Sequence, residues 1–323
     1  MDNTSSRLTQ RFTELGWQGR VVKAERLAEL ERELATRCAE GRVDSELLMR
    51  FDFAARSNLP HVASLVVVAV PQPAYFVSFI WNGERKRFLV PPTYLRGSQV
   101  IEEVQRTVEE VLRPSGYGIA HARLPEKLLA ARSGLSTYGR NNLAYAPGMG
   151  SFLRIVALLS DLPCNCDSWQ DPALLPFCEG CDACIRCCPG GALASLPSGF
   201  LAVTAERCIT YWDGKPRAVP WPAWMTSMQR GTLLGCIRCQ QVCPANRPSL
   251  EHIEIGPEFS EEETALILSR PKAEQLPADT RDKLEAFDML DFLDVHLPRN
   301  LAPLLGRGCV GAPCEEACRQ DRQ

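Results

Sequence analysis

Apolar positions are densest in "HVASLVVVAV", His61 to Val70, a valine-rich run that predicts a central strand buried on both faces. Downstream, "GSQVIEEVQRTVEEVL" sets Ile101, Val104, Val108, Val111 and Leu112 at helical spacing, with Ser98 positioned as N-cap. A short strand in "YGIAHARL" and a helix opening at about Pro125, a proline suited to a first turn, come next. "NNLAYAPGMGSFLRIVALLSD" reads as two strands around a Pro-Gly-Met-Gly turn. Before the sheet, "LTQRFTELGWQGRVVKAERLAELERELATRC" reads as two helices, with Leu27, Leu30 and Leu34 on one face, acting as a docking or capping element. The tail from Glu261 to Gly306 reads as helical, broken by prolines.

Strands alternating with helices predict an α+β protein with a mixed α/β sheet. The boundaries are an N-terminal helical segment, 1–60, an α/β cofactor and substrate domain, 61–163, a ferredoxin-like domain, 164–250, and a helical C-terminal extension, 251–323. At 323 residues, with 45% hydrophobic and 23% charged residues, the composition is that of a globular protein with one main domain and appendages. No apolar run is long enough to cross a membrane, and "MDNTSSRLTQRF" lacks a basic start and an apolar signal core, so the expected location is cytoplasmic. A net charge of −3 argues against a broad nucleic-acid-binding surface, although a local basic groove would be invisible in the total.

Fifteen cysteines change the picture, since in a reducing compartment they point to metal rather than to disulfides. "FCEGCDACIRCCPGG" contains Cys178, Cys181, Cys184 and Cys188 followed by proline, the C-x2-C-x2-C-x3-C-P run of bacterial ferredoxins. "CIRCQQVCP" adds Cys236, Cys239 and Cys243, again before proline. Zinc sites do not require the first triplet, so two 4Fe–4S clusters are expected. In two-cluster modules the cysteine before proline serves the other cluster. Cys178, Cys181, Cys184 and Cys243 then form one set, while Cys188, Cys236 and Cys239 need a fourth thiolate. Cys187 and Cys208 are both available. Neighbouring residues rarely turn both side chains to one cluster, which favours Cys208 and leaves Cys187 as a small packed residue. Cys164, Cys166, Cys309, Cys314 and Cys318 match no cluster spacing and read as unpaired thiols or a third metal or redox site; Cys38, on a helix, reads as packing.

The succession "LPEKLLAARSGLSTYGRNNLAY", "GMGSFLRIVALLSDLP", "CEGCDACIRCCPGGAL", "ERCITY", "GCIRCQQVCPANR" resembles the epoxyqueuosine reductase family, strongly from Leu124 to Arg247 and weakly over the preceding sheet. The resemblance implies a cobalamin-dependent protein with two 4Fe–4S clusters, related in plan to corrinoid reductive dehalogenases, and it implies cluster ligation by Cys208. It also implies an aspartate as general acid at a position where this chain has Ala120, which cannot donate a proton. His121 beside it and Tyr138, in the altered segment "GLSTYGR", are the candidate acids, each with a structural role as the simpler alternative. Arg140, Asn141, Gly150 and Ser151 are the candidates to hold a corrinoid, the glycines being equally explained by tight turns.

The expected function is an iron–sulfur reductase that takes electrons from a ferredoxin or flavodoxin and passes them through the clusters to a bound cofactor and a small organic substrate, without tRNA. The alternative is a non-catalytic ferredoxin-type protein serving a partner enzyme. The length of chain upstream of the clusters favours the enzyme, and Ala120 favours the alternative.

Overall fold

The valine-rich run folds as β2, Ser64–Pro71, with seven successive buried residues, and it lies in the middle of a four-stranded sheet. The computed structural model describes residues 3–41, 48–54, 58–194, 202–215, 219–225, 233–294 and 296–306. The chain divides into two compact units, one of residues 1–71 with 98–176 and the other of residues 72–97 with 177–323.

In the first unit, α1 (Asn3–Glu14), β1 (Gln18–Lys23) and α2 (Arg26–Ala39) precede β2. Pairing in the sheet is antiparallel throughout, β1 to β2, β2 to β8 (Leu153–Ser160) and β8 to β5 (Ile119–His121). Val66, Val68, Val70, Val156 and Leu158 face a core that includes Leu8 and Phe12 of α1, and Val104, Val108 and Leu112 of α3 (Gly97–Leu112). Leu65, Val67, Ala69, Ile155, Ala157 and Leu159 face the other way, against Leu27, Leu30 and Leu34 of α2 and Leu128 and Leu129 of α4 (Glu126–Arg132). Helices therefore cover both faces, which is why an antiparallel strand reads as one continuous apolar run.

Three expectations need correction here. The N-terminal segment is not only helical, because "QGRVVK" forms the edge strand β1, with Val22 buried against the sheet. The helix α3 opens at Gly97, so Ser98 lies in its first turn instead of capping it. The expected hairpin around the Pro-Gly-Met-Gly turn is also rearranged: β7 (Ala144–Tyr145) pairs with β6 (Thr137–Tyr138), and the turn closes through an Ala146 to Gly150 bridge before β8.

The second unit contains a three-stranded sheet of β3 (Tyr75–Trp81), β4 (Glu84–Val90) and β11 (Glu254–Phe259). Asn82 and Gly83 turn the β3–β4 hairpin with positive φ at both positions, 51° and 72°, as a primed turn requires. β11 pairs parallel to β3, so the C-terminal extension begins with a strand and not with a helix. Phe79 stacks on Phe259 and lies tilted against Phe88 in a core completed by α9 (Glu261–Leu268), α10 (Ala278–Glu285) and α11 (Leu297–Leu305). A capping box of Ser260 and Glu263 starts α9. Between β4 and β11 in this unit lie the short elements that bear most of the cysteines: α5 (Ala183–Cys187), β9 (Leu193–Ala194), β10 (Ala202–Val203), α6 (Ile209–Asp213), α7 (Arg238–Gln241) and α8 (Arg247–Leu250). Among the described residues, no helix is long and apolar enough to cross a membrane.

Candidate metal centre

The cysteines of the two runs sit at the ends of helices too short to be stable alone. Cys184 lies within α5, Cys188 follows it, Cys208 precedes α6, and Cys239 lies within α7, which packs against α5. Glycines let these segments approach. At Gly190 a Cβ would stand 1.8 Å from the carbonyl oxygen of Arg207, so only glycine lets the Cys188 turn lie against the residue preceding Cys208. Arg207 Nε closes the same contact by donating to the Gly190 carbonyl at 2.6 Å. Gly235, beside Cys236, has positive φ and carries the ring of Tyr94 where its Cβ would be.

Electrostatic neighbours show which thiols crowd together, with Cys239 touching both proposed sets. Burial pushes the Cys184 thiol up to about 11, with Cys178, Cys243 and Cys181 adding like charge. Cys236 is pushed up to about 12, mainly by burial, and its cysteine neighbours are Cys208 and Cys188. Cys239 is driven well upward by burial and by Cys236, Cys184, Cys208 and Cys188. Crowded thiols that resist ionisation are relieved by a bound metal, which replaces their protons, so the chemistry of the donors suits iron–sulfur ligation, while among the described residues no group of three or more Cys, His, Asp or Glu is arranged to hold a single metal ion. The Cys188 sulfur already accepts the Ala192 N–H at 3.2 Å. The Cys187 sulfur lies 3.9 Å from the carbonyl of Arg238, the residue before Cys239.

In the first unit, Ala120 and His121 lie on β5 opposite Leu159 and Leu158, and His121 is exposed. Tyr138 is 6% exposed, and burial lifts its phenol to about 12, with Arg37 opposing and Glu33 reinforcing the shift. A phenol held that high gives up its proton reluctantly at neutral pH. Arg140, Asn141, Gly150 and Ser151 fall on two consecutive turns, before and after β7, with Asn141 and Ser151 buried. The Asn141 amide donates to the Tyr145 hydroxyl at 2.8 Å, and its oxygen accepts from the Leu143 N–H at 3.3 Å. On the turn after β7, exposed Gly148 has a positive φ of 75°, which accounts for a glycine there.

One acid went unnoticed in the sequence. Glu126, partly buried in the first turn of α4, has its carboxyl raised to about 7 by desolvation, with Arg154 of β8 pulling the other way. Its neighbour Lys127 donates to the Asn142 carbonyl at 3.1 Å, so this turn adjoins the candidate corrinoid residues. A glutamate opening an amphipathic helix normally signals helix polarity alone, and the sequence held no hint of its desolvation. Cys164 lies 3.5 Å from the Val21 carbonyl, and Cys166 is exposed. Cys309, Cys314 and Cys318 lie outside the described residues.

Residues 177–246 match the family model of the 4Fe–4S double cluster binding domain. The chain carries a two-cluster iron–sulfur domain. An epoxyqueuosine reductase of Aliivibrio fischeri is 30% identical over 149 residues, 46% of this chain and 38% of that protein. The structure of epoxyqueuosine reductase from Bacillus subtilis, solved with its catalytic loop swung out of the active site, superposes with a TM-score of 0.68 at 18% identity, covering 99% of this chain and 86% of that one. An epoxyqueuosine reductase solved with an epoxyqueuosine-modified tRNA-Tyr stem loop superposes with a TM-score of 0.62 at 17% identity, covering 93% of this chain and 80% of that one. The α+β fold of this chain is thus that of epoxyqueuosine reductases, and the chain resembles them in sequence. It spans less than half the length of the first curated relatives it matches, 38%, 46% and 32%. The expectation that nucleic acid is absent finds no support in these likenesses.

Proposed function

We propose that this chain is an iron–sulfur oxidoreductase in which Cys178, Cys181, Cys184 and Cys243 hold one 4Fe–4S cluster, and Cys188, Cys208, Cys236 and Cys239 hold the second. The reading is supported by the match of residues 177–246 to the 4Fe–4S double cluster binding domain and by the crowding of these thiols, in which Cys184 neighbours Cys178, Cys181 and Cys243, and Cys236 neighbours Cys208 and Cys188, while Cys239 neighbours both sets. When bound, the clusters supply single low-potential electrons, and a corrinoid would supply the cobalt centre that receives them and reduces an organic substrate.

The chain's own part is to orient and to manage protons. In this reading Arg140, Asn141, Gly150 and Ser151 would hold an amide-bearing macrocycle, with Asn141 exchanging its bond to the Tyr145 hydroxyl for one to the ligand. Of the acidic groups near these turns, Glu126 holds a proton near neutrality where Tyr138 holds its own too tightly and Ala120 has none. Glu126 therefore joins His121 as a candidate proton source in this reading. The electron donor in this reading is a ferredoxin or flavodoxin, and the location cytoplasmic.

The substrate is a small organic molecule in this reading, and Ala120, in place of the general acid, speaks against epoxyqueuosine. Ala120 equally favours a second reading, an electron-transfer protein that serves a partner enzyme. Anaerobic reconstitution with cobalamin separates the two. Base-off corrinoid bands that co-elute with the protein support the reductase, and none at saturating cobalamin sinks its corrinoid form. Turnover of an epoxyqueuosine-bearing tRNA stem loop by the reconstituted protein would overturn the small-molecule substrate.

A further inference from the structure

The C-terminal helix α11 bears no cluster ligand, yet two of its side chains reach both chain segments that carry Cys208 and Cys236. The guanidinium of Arg299 donates through Nη2 to the carbonyl of Asp213 at 2.8 Å and to that of Trp212 at 3.4 Å, and through Nη1 to that of Lys215 at 2.8 Å. These carbonyls end and follow α6, the helix that Cys208 begins, and a cation at the last carbonyls of a helix stabilises that end. Arg299 lies over the Trp221 ring at 5.0 Å, and its Nε donates to the Asn300 side-chain oxygen at 3.1 Å. Asn300, 3% exposed, donates in turn to the Leu233 carbonyl at 3.1 Å, three residues ahead of Cys236. Tyr94 makes a further tie, with its ring in the space left at Gly235 and its hydroxyl hydrogen-bonded to Thr210.

We propose that Arg299, Asn300 and Tyr94 are positioning residues for the second cluster, a polar clamp that fixes the Cys208 and Cys236 segments at the separation the cluster needs. The proposal rests on the ligand assignment made above. A planar guanidinium with three carbonyl acceptors is suited to this role, since its donors are fixed relative to one another and each carbonyl locks a different backbone atom. Outer groups that hold metal-ligand segments govern metal retention as ligands do, at smaller magnitude. The clamp also gives the C-terminal extension a function that its lack of motifs concealed.

The test uses the full chain, reconstituted anaerobically, carrying Arg299→Gln or Asn300→Ala. Iron release to a chelator is followed by absorbance, and each cluster by electron paramagnetic resonance after reduction. The expected result is a split, with one cluster lost at least about tenfold faster and the other at the wild-type rate, as weakened outer-shell support predicts. The surviving signal should match the four-iron signal that persists in Cys208→Ala. Arg299→Lys should restore the rate only in part, because it keeps the charge and loses the fork. Equal acceleration of both clusters would mark a general loosening and overturn the proposal, as would wild-type rates in both variants or loss of the cluster that Cys178→Ala removes. If Arg299→Gln fails to fold, Asn300→Ala and Tyr94→Phe, each removing less, give the same reading. A wild-type chain with fewer than about eight irons would instead refute the assignment of two clusters.

Discussion

The sheet of the first unit and the cysteine-bearing stretch of the second are stabilised by different means. In the sheet, β2 and β8 bury valine and leucine on both faces against four helices, and the burial alone supports the structure. In the stretch from 177 to 246, helices of four or five residues carry cysteines, most of them only partly buried, and few large apolar side chains. One region is ordered by a large apolar core. The other has a small one, with Ile209, Leu233, Leu234 and Ile237 buried, and its order is expected to depend also on what its thiols bind.

Removing iron with a strong chelator should break the comparison most sharply. Hydrogen exchange should then show amides of residues 177–246 losing protection by orders of magnitude, while those of β2 and β8 keep theirs. Retained protection in both regions would mean that the small core of the cysteine stretch suffices on its own. The reverse case is Leu158→Ala, at a fully buried position of β8. It should cost about 2–5 kcal/mol of stability in denaturant unfolding and leave the iron content per chain unchanged.

A smaller effect concerns protons. The Glu126 carboxyl is raised to about 7 in the folded chain, so the native state favours its protonated form. Its contribution to stability is complete below the usual carboxylate range and is lost as pH rises through about 7. Glu126→Gln should flatten that part of the stability–pH curve. If Glu126 supplies the proton, Glu126→Gln should also lower reductase activity by about 10²-fold or more, and wild-type activity in that variant would assign the proton to another group.

Legibility in the sequence followed the same division. Long periodic elements such as β2 and α3 were readable because burial imposes its period on many residues at once. The cysteine runs were readable because ligand spacing is dictated by the cluster. The six-residue edge strand β1 has one fully buried side chain, Val22, too little for a pattern to emerge. β11 hid behind the helical tail because its partner β3 is far away in sequence. The β3–β4 hairpin was announced by Asn82-Gly83, the strongest short-range turn signal in the chain, and was overlooked. The raised carboxyl of Glu126 and the clamp at Arg299 depend on neighbours distant in sequence, Arg154 in one case and Asp213 in the other, and no local pattern announces them.

The most direct test of the account is iron and sulfide analysis of two single variants reconstituted side by side. Cys208→Ala should lose one cluster or retain it as a three-iron form, and Cys187→Ala should keep about eight irons per chain. The opposite result, a full complement in Cys208→Ala and a deficit in Cys187→Ala, would contradict the division of the cysteines on which the rest depends.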